Sequence, residues 1–304
     1  MTETVEVPAL SPALLRRLEW RIRRAVRTML AGNYRSAFRG RGMEFDQVVK
    51  YAWGDDVRDI DWNVSARLGE LYRKKFVEER EISVLLVFED SLSLRFGTTG
   101  RSRRDTLVEL AATLLLLGAT NRDRVGLLYA SPQGFWFRRP LPGRDYARRT
   151  AALLLGETPP PVDGPAVAPI PWRLALRGAT AHSVLVWLGA FDAAPPPEEW
   201  PLLCRRHQTL GFRADDPWDC ELPAGRRLAA YDPLAGRLLA LRTGEAERRA
   251  HAAWRDRRED HFAALFPQAR DRRALPADRP VFDEVVDFFN QQGGAQRGPG
   301  GRSR

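Results

Sequence analysis

The chain has 304 residues, of which 44% are hydrophobic, including 9 Trp and 14 Phe. That is enough apolar side chain to bury a full core, which excludes global disorder, and the length suits one large domain or two ordinary ones. The formal charge is +9, from 48 basic against 39 acidic residues, and only Lys50, Lys74 and Lys75 among the bases are lysine.

An excess of arginine makes nucleic acid the first partner to weigh, because guanidinium pairs well with phosphate. The same Arg-, Ala-, Pro- and Gly-rich composition is what GC-rich coding gives any protein, and the arginines are spread along the chain, not massed in one block. Cys204 and Cys220 are too few for a disulfide framework or a four-thiolate zinc site. With His207 between them they make at most a three-ligand zinc set lacking a fourth partner. The first fifteen residues lack a basic stretch followed by an apolar core, so no secretory signal is expected. The longest uncharged run through the Leu-rich segment, Leu110 to Asn121, is too short to span a bilayer. The expectation is a soluble, cytoplasmic protein.

In chain order, Ser11-Pro12 reads as an N-cap followed by a first-turn proline. Leu14, Leu15, Leu18, Ile22, Ala25, Val26, Met29 and Leu30 then keep helical spacing, with Gly32 as the stop. Arg16, Arg17, Arg21, Arg23, Arg24 and Arg27 lie on the opposite face. Such a basic amphipathic helix suits an acidic lipid surface or partner; equally, it suits a helix packed on the body with a solvated side. Residues 33 to 80 mix turn residues with short alternating runs and read as β-rich hairpin structure.

Ile82 to Phe88 is a continuous apolar run, as expected of a strand buried on both faces. A long apolar helix follows at Asp105 to Ala119, then a strand at Arg124 to Ala130 with a hairpin partner at Gly134 to Arg139. Next come a helix at Asp145 to Leu155, a Pro-rich connection from Pro159 to Pro171, and a buried strand at Ser183 to Leu188. A helix at Glu198 to Arg206 and a strand at Gln208 to Arg213 continue the alternation. Gly225 to Leu241 supplies a hairpin turning through Asp232-Pro233 and Gly236, and helices at about Glu245 to Phe266 and Val281 to Gln291 close the chain. Strands alternating with helices predict an α/β fold with a doubly wound, mostly parallel sheet, a small β-rich N-terminal elaboration and C-terminal helices. The expected division is 1–80 for the basic helix and β-rich segment, 81–292 for the sheet domain, and 293–304 for a disordered tail.

In an open α/β sheet, ligands sit beyond the carboxyl ends of the strands at the switch point, so the residues after Phe88 and Leu188 are the ones to inspect. After Phe88 stands Glu89-Asp90-Ser91-Leu92-Ser93, a carboxylate followed by hydroxyls two and four residues on, which can aim three oxygens at a hard cation such as Mg²⁺. This resembles the D-x-S-x-S signature of the von Willebrand factor A fold, whose metal-ion-dependent adhesion site binds an acidic partner. A longer pattern carries a closer resemblance. Gly42, Glu44, Phe45, Tyr51, Gly54, Asp55, Asp56, Arg58, Ile60, Asp61, Trp62, Ala66 and Arg67 look like the hallmark of the bacterial domain-of-unknown-function 58 (DUF58) family. So do Lys75-Phe76 with Glu79, Asp123-Arg124-Val125-Gly126, Arg205 to His207, Asp216-Pro217 before Glu221-Leu222-Pro223, and Asp232-Pro233 with Gly236.

That resemblance implies a von Willebrand A-like, Rossmann-type domain and no established enzyme activity. It also implies an adaptor or chaperone-like partnership with a MoxR-type AAA+ ATPase or its client. The departures from the pattern matter. Glu89 stands where the family has its first aspartate, and Gly189-Ala190-Phe191 stand where it usually has Ser-Asp-Phe, with Asp192 two residues beyond the missing acid. Glu89, Ser91 and Ser93 are therefore expected to form a degenerate site that holds Mg²⁺ weakly or not at all, and no cofactor is expected.

Asp55, Asp56, Asp59 and Asp61 are read as acids that cap turn amides and pair with Arg58, Arg67 and Arg73; a hydrolytic centre built on them is a distant third possibility. Gly54 is expected to serve a turn and Trp62 to anchor the core. There is no G-x-S-x-G elbow, P-loop, dinucleotide fingerprint or nucleic-acid-binding motif. The function expected is that of a non-enzymatic interaction protein in complex assembly or maturation, the alternative being nucleic-acid binding through the arginines.

Overall fold

The computed structural model describes residues 12–25, 43–78 and 82–295, apart from 163, 181, 193–194, 226 and 233–236. Helix α1 (Pro12–Ala25) follows the expected amphipathic spacing. Leu15 and Leu18 are buried while Arg16 and Arg17 are exposed, so its apolar stripe packs on the body. Ser11 and the expected continuation of this helix to Leu30 lie outside the described residues.

Strand β1 (Met43–Lys50) pairs antiparallel with β2 (Tyr72–Glu78), and the segment between them carries helix α2 (Trp62–Leu68). The hairpin was expected; α2 was not. Seven residues are too few to show a helical period, and the signals are at the ends. Asp61 accepts hydrogen bonds from the amides of Asn63 and Val64 at 3.1 and 3.2 Å, and Gly69 ends the helix at φ +73°.

The body is one six-stranded sheet. In chain order its elements begin with β3 (Ser83–Glu89), α3 (Arg103–Thr120), β4 (Arg124–Ser131), β5 (Gly134–Leu141), α4 (Arg144–Gly156) and α5 (Trp172–Gly178). Then follow β6 (Val184–Leu188), α6 (Trp200–Arg206), β7 (Gln208–Asp215), the single turn α7 (Pro217–Cys220), and the hairpin β8 (Arg227–Asp232) and β9 (Arg237–Arg242). Helix α8 (Glu245–Leu265), β10 (Arg272–Pro276) and α9 (Val281–Ala295) complete it. The strand order is β10-β7-β6-β3-β4-β5, all parallel except β5, which pairs antiparallel with β4. This is the expected doubly wound α/β sheet with helices on both faces.

Alternation along β3 sorts the core. Val84, Leu86 and Phe88 face a layer made by α3, α4, α9 and α1; Leu85 and Val87 face Trp172, Trp187, Trp200, Phe262 and Phe266. Each such side chain removed from water contributes roughly 1.5–3 kcal/mol. Helix α3 is buried nearly all round, which is why its sequence reads as apolar without a polar face. Two motif residues find their reason here. Asp123 accepts from the Ile82 amide at 3.1 Å, and a Cβ on Gly126 would lie 2.5 Å from the Arg138 carbonyl oxygen, where β5 crosses close.

Strand β10 and helix α5 were not foreseen. Strand β10 (RRALP) is an edge strand that opens on two arginines and ends on proline, a composition tolerated where one side is unpaired. Helix α9 runs through Gly293 and Gly294 to Ala295, past the expected start of a disordered tail, because glycine weakens a helix without forbidding it. Residues 296–304 and the turn at 233–236 lie outside the described residues.

Candidate functional site

The GDDVRDIDW segment wraps the turn between β1 and β2. Gly54 adopts φ +105°, a region that favours glycine. Asp55 accepts from the Ala52 amide at 2.9 Å and pairs with Arg73 at 2.7 Å. Asp56 accepts from the Arg58 amide at 2.9 Å, and Asp61 caps α2 with Lys74 3.7 Å away. Three of the four acids are thus engaged with backbone and bases in the manner of turn caps, and Arg67 lies exposed in the last turn of α2.

Trp62 corrects the sequence reading: it is 65% exposed and anchors no core. It is the first residue of α2, in which only Ser65 is buried. Trp53 is fully exposed, and Val57, Leu68 and Leu71 are exposed with it. Five large apolar side chains within nineteen residues therefore face solvent within and just beyond the motif.

The second candidate lies at the carboxyl ends of β3 and β6, where the strand order reverses direction. Glu89 ends β3, and its Oε2 accepts from Trp187 Nε1 at 3.0 Å. Burial, reinforced by the field of Asp192 and opposed by the Trp187 bond, pushes its carboxyl up to about 8. Asp90 is fully buried and committed elsewhere. Arg104 Nε reaches its two oxygens at 2.9 and 2.8 Å, and the Tyr129 hydroxyl donates to it at 2.7 Å. It is therefore no substitute for an aspartate at 89. The Ser91 and Ser93 hydroxyls lie 3.1 Å apart, hydrogen-bonded to each other.

After β6, three residues in a row have distinct duties. A Cβ on Gly189 would lie 2.5 Å from Glu89 Oε2. The Ala190 carbonyl oxygen accepts from Arg258 Nε at 3.1 Å and Nη2 at 2.9 Å. Phe191 sits at φ +51°, an unusual value for a bulky residue, held by packing against Trp187, Phe262 and Phe266. Arg258 also donates from Nη1 to Asp215 at 2.9 Å. Burial, the largest influence, pulls Arg258 below the ordinary arginine range, while Asp215 opposes it. Arg103 donates from Nε (2.7 Å) and Nη2 to the two oxygens of Asp219, and from Nη1 to the Ser93 carbonyl at 3.0 Å.

This donor set does not fit Mg²⁺. The Glu89 carboxyl is turned to an indole and protonates near neutral pH, Ala190 offers only a carbonyl already taken, and Asp215 and Asp219 nearby are engaged by guanidiniums. Among the described residues no group of three or more His, Cys, Asp or Glu is arranged to hold a metal ion. Cys204 and Cys220 are both exposed free thiols and His207 Nδ1 lies 2.9 Å from the Ser183 hydroxyl, and among the described residues the three form no metal-holding group.

Arg103, Asp215, Asp219 and Arg258 were missed by sequence reasoning. Arg258 stands in the run RDRRED of α8, where nothing separates it from solvent-facing neighbours. The one available signal was Asp216-Pro217 with Asp219, a capping box on α7 at the end of β7, which also ties down Thr98 at 2.7 Å.

Comparison with known proteins agrees with the motif. The uncharacterised protein Rv1480 of Mycobacterium tuberculosis is 30% identical over 224 residues, covering 72% of this chain and 69% of its own length; the uncharacterised Mb1516 of Mycobacterium bovis matches equally. Among solved structures, the conserved hypothetical protein BatB from Bacteroides thetaiotaomicron aligns with a TM-score of 0.41 at 13% identity, over 70% of this chain and 99% of that one. An aerotolerance-related membrane protein from Bacteroides fragilis aligns with a TM-score of 0.38, also at 13% identity, over the same shares of the two chains. The family described as "Protein of unknown function DUF58" matches residues 47–261, taking in the motif from Tyr51 to Arg67, the strand-end residues and Arg258, and this chain belongs to that family.

Proposed function

We propose that this chain is a non-enzymatic interaction protein that works with a MoxR-type AAA+ ATPase, or with that ATPase's client, in the assembly or maturation of a protein complex. The observation that carries the reading is the exposure of Trp53, Val57, Trp62, Leu68 and Leu71, within and just beyond the family motif. Large apolar side chains held out by a small hairpin are suited to a partner surface, and tryptophan is the residue most enriched at the energetic centres of interfaces. The ATPase as partner, and a von Willebrand A-like sheet whose adhesion site works without metal, come from the resemblance of the motifs. A cytoplasmic location belongs to the same proposal.

Part of the arginine content has a structural use. Arg103, Arg104, Arg213 and Arg258 are buried in ion pairs, so part of the excess serves the fold. Affinity purification of the tagged full chain with a MoxR-type ATPase of the same organism is the test. Retention of the ATPase in at least one nucleotide state is expected. Failure in both nucleotide states, or retention of nucleic acid lost steeply with salt in its place, overturns the reading.

A further inference from the structure

The carboxyl ends of β6 and β7 bring three acids and a carbonyl around one side chain. Arg258 lies 2.9 Å from Asp215 Oδ1, 3.9 Å from Asp219 Oδ2 and 3.9 Å from Asp192 Oδ1, and donates two hydrogen bonds to the Ala190 carbonyl. Its side chain is only 3% exposed. Acids gathered this closely need a positive charge among them, from an ion or from the chain. Arg103 and Arg213 neutralise the flanks, the first on Asp219 and the second on Asp215 and Glu259. Through the Ser93 carbonyl, Arg103 also carries the network to the segment following β3.

We propose that Arg258 is a built-in cation, whose guanidinium fills at the ends of β6 and β7 the role of a divalent ion and closes the strand-end site without metal. The geometry suits guanidinium and not ammonium. One planar fork serves a carbonyl with two donors and a carboxylate with a third, which a point charge does not reproduce. It also accounts for the alanine at 190. Asp192, Asp215, Asp219 and Glu259 already outnumber Arg103, Arg213 and Arg258, and one more carboxylate in the same pocket would be uncompensated. A cavity of about 250 Å³, lined by Asp215, Asp219, Arg255, Arg258 and Glu259 among others, opens beside this network and leaves room for a hydrated ion once the guanidinium is gone. The inference concerns the chemistry of the strand ends and stands whether or not an ATPase is the partner.

Thermal unfolding of the full chain tests it, with Mg²⁺ and Mn²⁺ titrated to about 10 mM against NaCl of matched ionic strength. Wild-type Tm is expected to stay flat. Arg258→Gln is expected to melt several degrees lower and to regain part of the loss in a dose-dependent, saturable way with either divalent ion. Arg258→Lys, which keeps the charge but not the fork, is expected to fall between the two and to ignore the metal. If Arg258→Gln is recovered only as aggregate, refolding with and without Mg²⁺ becomes the readout, and recovery confined to the Mg²⁺ arm supports the proposal. A wild-type Tm that climbs with Mg²⁺, an Arg258→Gln variant as stable as wild type, or a loss that divalent ions do not relieve each overturns it.

Discussion

Glu89 and Gly189 are fitted to each other across β3 and β6. A Cβ at 189 would stand 2.5 Å from Glu89 Oε2 and 3.1 Å from Trp187 Nε1, so the longer carboxylate and its indole donor occupy the space a side chain at 189 would need. The glutamate at 89 and the glycine at 189 are therefore coupled by one contact between two strands.

A double-mutant cycle measures that relationship. Gly189→Ala is expected to destabilise the wild type by about 1–3 kcal/mol and to cost little in a Glu89→Ala background, giving a coupling energy of about 1 kcal/mol or more. Chemical denaturation of the four proteins checks it; additive effects would show that the contact is not felt.

The raised carboxyl of Glu89 makes stability depend on pH. Its pKa is about 8 in the fold against an ordinary 4.5, so the folded state holds the proton more tightly. The contribution is fully present below pH 4.5 and is lost as pH rises through 8. Glu89→Gln, which keeps an oxygen for Trp187 to donate to, is expected to match wild type at pH 5. At pH 9 it should exceed wild type by on the order of 3 kcal/mol. Denaturant midpoints at the two pH values decide it, and equal differences at both contradict the assignment.

Asp90, Arg104 and Tyr129 form a buried network at the switch point. Arg104→Met leaves a carboxylate in the core without its counter-charge and is expected to cost about 3–5 kcal/mol, whereas Asp90→Asn with Arg104→Met recovers part of that loss. Equilibrium unfolding is the check; a loss under about 1 kcal/mol from the single change would mean that the pair carries little of the fold.

Trp53 and Trp62 are expected to matter little for stability. Each is exposed, so Trp53→Ala and Trp62→Ala should shift unfolding by no more than about 0.5 kcal/mol. A loss above about 2 kcal/mol in either would place it in the fold rather than on a partner surface.

Much of the sheet could be read from the chain because buried parallel strands are continuous apolar runs. ISVLLVF and SVLVWL became β3 and β6 for that reason. Short elements escaped: α2 and α5 have seven residues each, below the length at which periodicity speaks, and β10 carries its charge on an edge. At the site, Glu89, Ser91, Ser93 and Ala190 were visible because a strand-end motif points to them. Arg103 and Arg258 were not, since nothing local distinguishes a buried arginine from a solvated one; only the fold shows which guanidinium faces a cluster of acids. Trp62 failed for the converse reason. Tryptophan is usually buried, and a motif tryptophan held out on a two-stranded hairpin is legible only when the hairpin lacks a core to receive it.

The account turns on whether the motif surface binds a partner. The most direct measurement is the dissociation constant of the full chain for the proposed partner, a MoxR-type ATPase of the same organism, by calorimetry, for wild type and for Trp53→Ala/Trp62→Ala. The account predicts measurable wild-type binding and a double variant at least about tenfold weaker with an unchanged melting temperature. Wild type without affinity, or a double variant binding as tightly as wild type, would contradict it.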